Sequence, residues 1–195
     1  MTRRDYNKQE TIHTIRSVFL EQCAEGGMEH ISVAKLCQAC GIAKSTFYLY
    51  FDDKFAVLES IENDLLGTLR DICFDLRDID MDDVFRGRPL EKAIATVRFL
   101  RENADTFRVL LGRYGDPRFT YKWKKDIEES FMDRFRAEKR NERSADIACT
   151  IFSSSLVGLY THILFEMPDM SEHELAIILG NLLKYSLMDF DAFAE

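Results

Sequence analysis

The sequence predicts an all-α protein: an N-terminal three-helix head carrying a helix-turn-helix, joined by a long helix to an all-helical C-terminal domain. Three observations carry this reading. Apolar residues recur at spacings of three and four almost throughout. Only three prolines and nine glycines interrupt 195 residues, too few for the turns of a many-stranded protein. No run alternates with period two for long enough to be a strand.

The elements follow in order. Ile12, Ile15, Phe19 and Cys23 line one face of a first helix. Glu25-Gly26-Gly27 closes it, since glycine takes the left-handed conformation that ends helices. Ser32 is placed to N-cap a short second helix, Val33 to Cys40, which Gly41 breaks. A third short helix is expected from about Ala43 to Phe51. Asp52 or Asp53 can cap a fourth, from Phe55 to Ile79, whose apolar positions are Leu58, Ile61, Leu65, Leu69, Ile72, Leu76 and Ile79. At 1.5 Å per residue this rod is about 37 Å long.

Asp80 to Arg88 reads as an acidic loop, and Pro89 suits a first helical turn. Leu90, Ile94 and Val97 carry the next helix, and Phe107, Leu110 and Leu111 a short successor. Gly112 to Pro117 is a turn. Trp123, Ile127, Phe131 and Phe135 lie four apart on the helix after it. Ser144 is expected to cap a helix from Ile147 to Phe165 that is apolar nearly all round and so should be buried. Pro168 ends it. Ser171 opens the last helix, with Leu175, Ile178, Leu182 and Met188.

The chain is 46% apolar and 12% aromatic, enough to bury a core. Its longest apolar runs are a few residues, so no membrane span is expected. The N-terminus MTRRDYNKQET has no apolar stretch after its charges, so no secretory signal is expected and the protein is assigned to the cytoplasm. Five cysteines, 23, 37, 40, 73 and 149, then read as reduced thiols.

Net charge is −8. Residues 1–54 carry seven basic and seven acidic side chains, and residues 55–195 carry 19 and 27, so the excess acid lies in the second part. A neutral head can still bind DNA if its cations face one way, because phosphate contact is local and screened within about 10 Å. An architectural nucleoid protein would need a strongly basic head.

The informative stretch is Ser32 to Lys54, two short helices with a glycine between them. Leu36, Cys37, Cys40, Ile42 and Phe47 would form the inner core of the pair. Lys44, Ser45, Thr46, Tyr48, Leu49 and Tyr50 are left outside, with groups suited to phosphate and groove contact. The division is set at 1–54 for the DNA-binding head, with its helix-turn-helix at 32–51, and 55–195 for the helical body.

This pattern resembles the TetR family of regulators. The resemblance rests on the first-helix pattern, on Leu36 to Gly41, on Lys44-Ser-Thr-Phe-Tyr-Leu-Tyr-Phe51 and on Lys54, and covers residues 9–69 in detail. It implies that Ser32 caps the second helix and touches phosphate. Lys44, Ser45 and Thr46 would open the recognition helix. Tyr48 and Tyr50 would meet the sugar-phosphate backbone, and Lys54 would hold phosphate from the fourth helix. It further implies a homodimer that reads a pseudo-palindromic operator in double-stranded DNA. A small-molecule effector in the body would release it, which makes the protein a repressor. The alternatives are an activator of a neighbouring operon, or a thiol-redox regulator without a pocket. Ala43 departs from the pattern by removing a serine cap, and Asp52 and Asp53 place acid beside Lys54. Phe99 to Asn103, Phe107 to Leu111 and Gly115 to Phe119 are more loosely similar to a branch that includes regulators of dihydroxyacetone kinase operons.

Cys37-x-x-Cys40 lacks two further ligands at zinc-site spacing, so packing is the reading there and no metal or cofactor is expected. Residues on different helices that would line an effector cavity are Cys73, Phe99, Trp123, Phe131, Phe152, Ser155 and His162. For the aromatic ones ordinary core is the competing reading. For His162 it is a satisfied buried polar group. The mixed charges from Lys122 to Glu129 and from Arg134 to Arg143 read as solvated faces. No phosphate loop, nucleophile elbow or zinc-protease motif occurs, so no enzyme is expected.

Overall fold

The computed structural model describes residues 3–73, 80–88, 90–137 and 142–188. Among the described residues ten α-helices follow one another: α1 Arg3–Gly26, α2 Val33–Cys40, α3 Lys44–Phe47, α4 Lys54–Cys73, α5 Met81–Phe85, α6 Glu91–Glu102, α7 Ala104–Leu111, α8 Pro117–Ala137, α9 Glu142–Glu166 and α10 Glu172–Met188. A 3-10 turn, Met28–His30, joins α1 to α2. No strand occurs among the described residues.

Local chemistry explains most boundaries. Gly27, at φ 75°, follows α1. Of the two aspartates before α4, Asp53 is the cap: its Oδ1 accepts from the N–H groups of Phe55 and Ala56, both at 2.8 Å. The expected continuation of the fourth helix to Ile79, with Leu76, lies outside the described residues. The expected acidic loop contains α5. Asp80 Oδ1 accepts from Asp82 N–H at 2.8 Å and Val84 is buried, so a cap and one apolar anchor suffice for a short helix. Ser144 does not cap α9, which begins at Glu142; Ser144 is buried in its first turns. Ser171 does open α10, through a reciprocal capping box with Glu174. Those hydrogen bonds from Ser171 hold the Glu174 carboxyl below the usual carboxylate range.

The chain divides into two compact units: Met1–Leu65 with Val109–Asp116, and Leu66–Arg108 with Pro117–Glu195. The sequence placed the division at residues 54/55. In the structure it falls inside α4, because α4's first half is tied to α1. Arg16 Nε donates to Ser60 Oγ at 3.0 Å, its Nη1 to the Asp64 carboxylate, and Ile15, Phe19, Val57, Leu58 and Ile61 are buried.

In the second unit α8 packs on α9, while α10 packs on α9, α6 and α5. Phe107, Phe119, Trp123, Phe131 and Phe135 are the largest side chains buried there. By length and composition α9 could cross a membrane, with mean hydropathy 1.5 over 18 residues, contrary to the expectation from short apolar runs. Half of that window is buried inside the protein, and core packing accounts for its apolar character.

The two units predict opposite outcomes for two glycines. Gly67 lies inside α4 with open space where a Cβ would go, so Gly67→Ala should stabilise the protein by about 0.5–1 kcal/mol. At Gly115 a Cβ would overlap the Leu110 carbonyl, so Gly115→Ala should lower the thermal midpoint measurably. Equal midpoints for wild type and Gly115→Ala would show that the turn is built differently.

Candidate nucleic-acid interface

The helix-turn-helix is assembled from its termini. Ser32, extended at φ −130°, accepts the Lys35 N–H on its hydroxyl at 3.3 Å and starts α2. Gly41 ends it at φ 67° and ψ 29°, a left-handed conformation that a side chain would strain. The next N–H, of Ile42, returns to the Cys37 carbonyl at 3.0 Å. The chain thereby reverses into α3, where the N–H groups of Thr46 and Phe47 return to the Ala43 carbonyl at 3.0 and 3.2 Å.

One face of each short helix is buried. Leu36 and Phe47 have no exposed surface and Cys37 has 4%. The remaining expected core residues, Cys40 and Ile42, are half-buried, and the Cys40 thiol faces the Thr14 carbonyl of α1 at 3.9 Å. The Phe47 ring meets Tyr48 edge-on at 5.6 Å and Phe51 at 5.9 Å. Regular α3 is only Lys44–Phe47. The expected extension to Phe51 is tightened into turns, with Leu49 N–H bonded to Thr46 and Tyr50 N–H to Phe47.

What remains outside is a compact set. Ser32, Lys44 and Ser45 are exposed, Tyr48 is 55% and Leu49 76% exposed, while Thr46 and Tyr50 are half-buried. Exposure of a large apolar residue such as Leu49, one position from a phenol, is what groove contact needs: a surface for the thymine methyl beside hydrogen-bonding groups. Ala43 makes no side-chain cap at the start of α3. Lys54 differs from the rest of the set. Its ammonium donates to the carbonyls of Met28 at 2.7 Å and Ile31 at 2.9 Å. Sequence reading missed Arg16, whose partners lie 44 and 48 residues away, beyond the reach of any periodicity.

The seven candidate cavity residues separate. Phe99 meets Phe107 edge-on at 6.1 Å, Phe107 lies 5.6 Å from Trp123, and Trp123 stacks parallel on Tyr160 at 5.7 Å. Phe131 and Phe152 are in contact, with centroids 4.0 Å apart. These four belong to two buried aromatic clusters. Ser155 and His162 do not join them, and His162 is not the buried polar group expected: both are exposed on α9. They are seven residues apart, two turns along one face, together with Ile147, Ile151, Gly158 and Phe165. Because α9 is apolar on every side, its sequence hid which face points inward. The Cys73 side chain lies outside the described residues.

Some polar groups inside this unit are paired, whereas Arg101 Nε and Asp126 Oδ2 are buried without a hydrogen bond among the described residues. Ser153, with no exposed surface, donates to Glu128 at 3.0 Å, and Lys125 donates to the same carboxylate at 2.7 Å. Burial pushes the Asp126 carboxyl up, opposed by Arg70 at 3.6 Å. Burial also raises the thiols of Cys23, Cys40 and Cys149, the last to about 12. Raised thiols are poor nucleophiles, which weighs against the thiol-redox alternative. Among the described residues no group of three or more His, Cys, Asp or Glu is placed to hold a metal.

Residues 15–61 match the family model for bacterial regulatory proteins of the tetR family, and residues 88–185 match a transcriptional regulator C-terminal region. The uncharacterized HTH-type transcriptional regulator YxbF of Bacillus subtilis (strain 168) is 23% identical over 99 residues, which are 51% of this chain and 26% of that protein. The chain thus matches about a quarter of the length of that relative. Among solved structures, a TetR transcriptional regulator from Streptococcus agalactiae 2603V superposes with TM-score 0.62 at 22% identity, covering 94% of this chain and 95% of that one. The fatty acid degradation regulator FadR from Bacillus halodurans gives 0.61 at 18%, covering 91% and 96%. The dihydroxyacetone kinase operon activator DhaS gives 0.56 at 17%, covering 94% and 97%. At these identities the likeness shows a shared fold.

The buried Cys149 thiol predicts a pH dependence. Its folded value of about 12 lies above the ordinary 9.0, so between those values the unfolded chain has lost a proton that the folded chain keeps. Stability should therefore fall as pH rises from 9 towards 12, and Cys149→Ala should flatten that fall in denaturant titrations. Parallel curves for the two proteins would show that Cys149 is not buried as a thiol.

Proposed function

The chain belongs to the TetR family of bacterial regulatory proteins, whose members are DNA-binding transcriptional regulators, and from that premise we propose that it is a cytoplasmic homodimeric repressor released from a specific operator by a small molecule. One observation carries the DNA-binding part of this reading: Lys44, Ser45, Tyr48 and Leu49 stand exposed on the far side of a left-handed glycine turn, while Phe47 between them is fully buried. A rigid helix that presents a cation, a hydroxyl, a phenol and an apolar side chain suits the major groove. Ser32 at the start of α2 and Tyr50 after α3 are the candidate phosphate contacts that flank it.

The dimer reading is supported by what α9 and α10 leave uncovered. Ile147 is 39%, Ile151 45% and Phe165 42% exposed on α9, and Ile178 38% and Tyr185 70% exposed on α10. Contiguous apolar residues at helical spacing on two neighbouring helices suit a four-helix, two-fold interface. Ser155, Gly158 and His162 lie on the same α9 face, which reassigns Ser155 and His162 from cavity to interface.

Release by an effector is supported by the chain's connectivity. The boundary between the units falls within α4, at Leu65/Leu66, and within α7, at Arg108/Val109. A rigid helix that belongs to both units can carry a small rotation from one to the other. Coupling of about 1–3 kcal/mol would change DNA affinity some 5–150-fold. The acid of the body, 27 against 19 basic side chains in residues 55–195, favours a neutral or cationic effector.

Selection from a random DNA pool with the full-length protein tests the whole reading. It should enrich a pseudo-palindrome with half-sites about 10 base pairs apart. Ser45→Ala should change the preferred sequence, whereas Lys44→Ala should also lower the salt slope of binding by about one unit. Absence of any enriched sequence would sink the proposal. For the dimer, Ile178→Asp should reduce the light-scattering mass to the 22.7 kDa of one chain and abolish operator binding. Ile178 is the better probe than the half-buried Leu182. A wild-type mass already at one chain would rule the dimer out.

A further inference from the structure

The resemblance would put the Lys54 ammonium on a phosphate, but the geometry points elsewhere. We propose that Lys54 is a positioning residue: an internal clamp that fastens the α1–α2 connection to the first turn of α4 and so sets where α2 and α3 stand. The proposal rests on the DNA-binding reading above and changes how one of its residues acts.

The connection Gly27 to Ile31 carries one 3-10 turn, whose His30 and Ile31 N–H groups reach only the carbonyls of Gly27 and Met28, at 3.3 Å. Ile31 is 3% exposed, so its carbonyl needs a partner inside the protein. Lys54 supplies it at 2.9 Å and takes the Met28 carbonyl at 2.7 Å with a second proton. Of the two carbonyls between them, that of His30 accepts from Lys35 Nζ at 3.2 Å. Lys54, which reads in the sequence as a phosphate cation, thus shares one backbone segment with Lys35.

An ammonium has three donors. Two are engaged, and the charge lies 5.4 Å from the centre of the Phe55 ring, a favourable cation–π distance. The side chain is half-buried. Withdrawing it towards phosphate would break two charge-assisted hydrogen bonds and leave the buried Ile31 acceptor unpaired, the costly side of hydrogen-bond energetics.

The position explains the consequence. Ile31 is followed directly by Ser32, the cap of α2, so the clamp holds the residue from which the helix-turn-helix starts. Its other end is the first residue of α4. The same connection is bounded on its far side by Tyr114: a Cβ on Gly27 would lie 3.2 Å from the Tyr114 Cβ. Movement at the start of α4 is therefore delivered to the start of α2 through two hydrogen bonds.

The test compares full-length wild type, Lys54→Met and Lys54→Gln, with Lys44→Ala as the phosphate control, on the pool-selected DNA over a range of salt. A clamp predicts that Lys54→Met binds about tenfold more weakly at every salt concentration with an unchanged slope of log affinity against log salt. Lys54→Gln, which has neutral N–H donors, should recover part of the affinity at the same slope. Without DNA, amide exchange of Leu36 to Cys40 should quicken in Lys54→Met and slow again in Lys54→Gln. A slope lowered by about 0.9 in both variants, with exchange as in wild type, would overturn the clamp and restore the phosphate contact. If Lys54→Met does not fold, Lys54→Gln alone gives the same reading of slope. If the wild type binds no DNA, exchange still decides the clamp, and only the functional reading fails.

Discussion

Phe47 has no exposed surface, and α3, the helix that carries it, is four residues long. A helix of one turn has no stability of its own, because nucleation is unfavourable and three residues must be ordered for each early hydrogen bond. It persists here through one burial: Phe47 packs among Tyr48 and Phe51 where α3 meets α2. Everything exposed on α3 takes its direction from that ring. Lys44 and Ser45 before it, and Tyr48 and Leu49 after it, point outward because the residue between them cannot.

The same dependence extends backwards through the head. α2 can support Phe47 only if Ser32 starts it and Gly41 ends it. Ser32 in turn follows a connection whose carbonyls are held by side chains from α2 and α4. Arg16 then ties the middle of α4 to α1 through Ser60 and Asp64. The head is a circuit in which the short α2 and α3 are held against the longer α1 and α4. Its cations serve structure as much as ligand, which reconciles a formally neutral head with a surface suited to DNA.

The body is built on another principle. Aromatic rings gather in two clusters along α8 and α9, and the buried Ser153 hydroxyl meets Glu128. Such a core is dense and shape-specific. Its outer face on α9 and α10 keeps isoleucines and a phenylalanine in the open, where a lone chain would be expected to place polar residues. Density within and apolarity without suit a unit that is completed by another surface and moves as a body.

Several features were legible in the sequence because their causes are local. Helical periodicity located α1, α2, α4, α8 and α10. Gly41 announced the turn, since only a residue without a Cβ takes φ 67° at no cost. The outward residues of α3 followed from its one large apolar member. Other features depend on partners distant in the chain, and no spacing encodes them. The clamp on Lys54 joins residues 23 and 26 positions apart, so its ammonium read as a free cation. α5 rests on the burial of Val84 against later elements, so its segment read as a loop. α9 is apolar on every side, and Ser155 and His162 were assigned to the interior until α8 and α10 chose which face was covered. Sequence alone determined most of the helices, the turn and the outward residues of α3, because neighbours within four residues create them. Tertiary structure decided the inward faces, the partners of the charges and the division inside α4, because those are set by which surfaces meet.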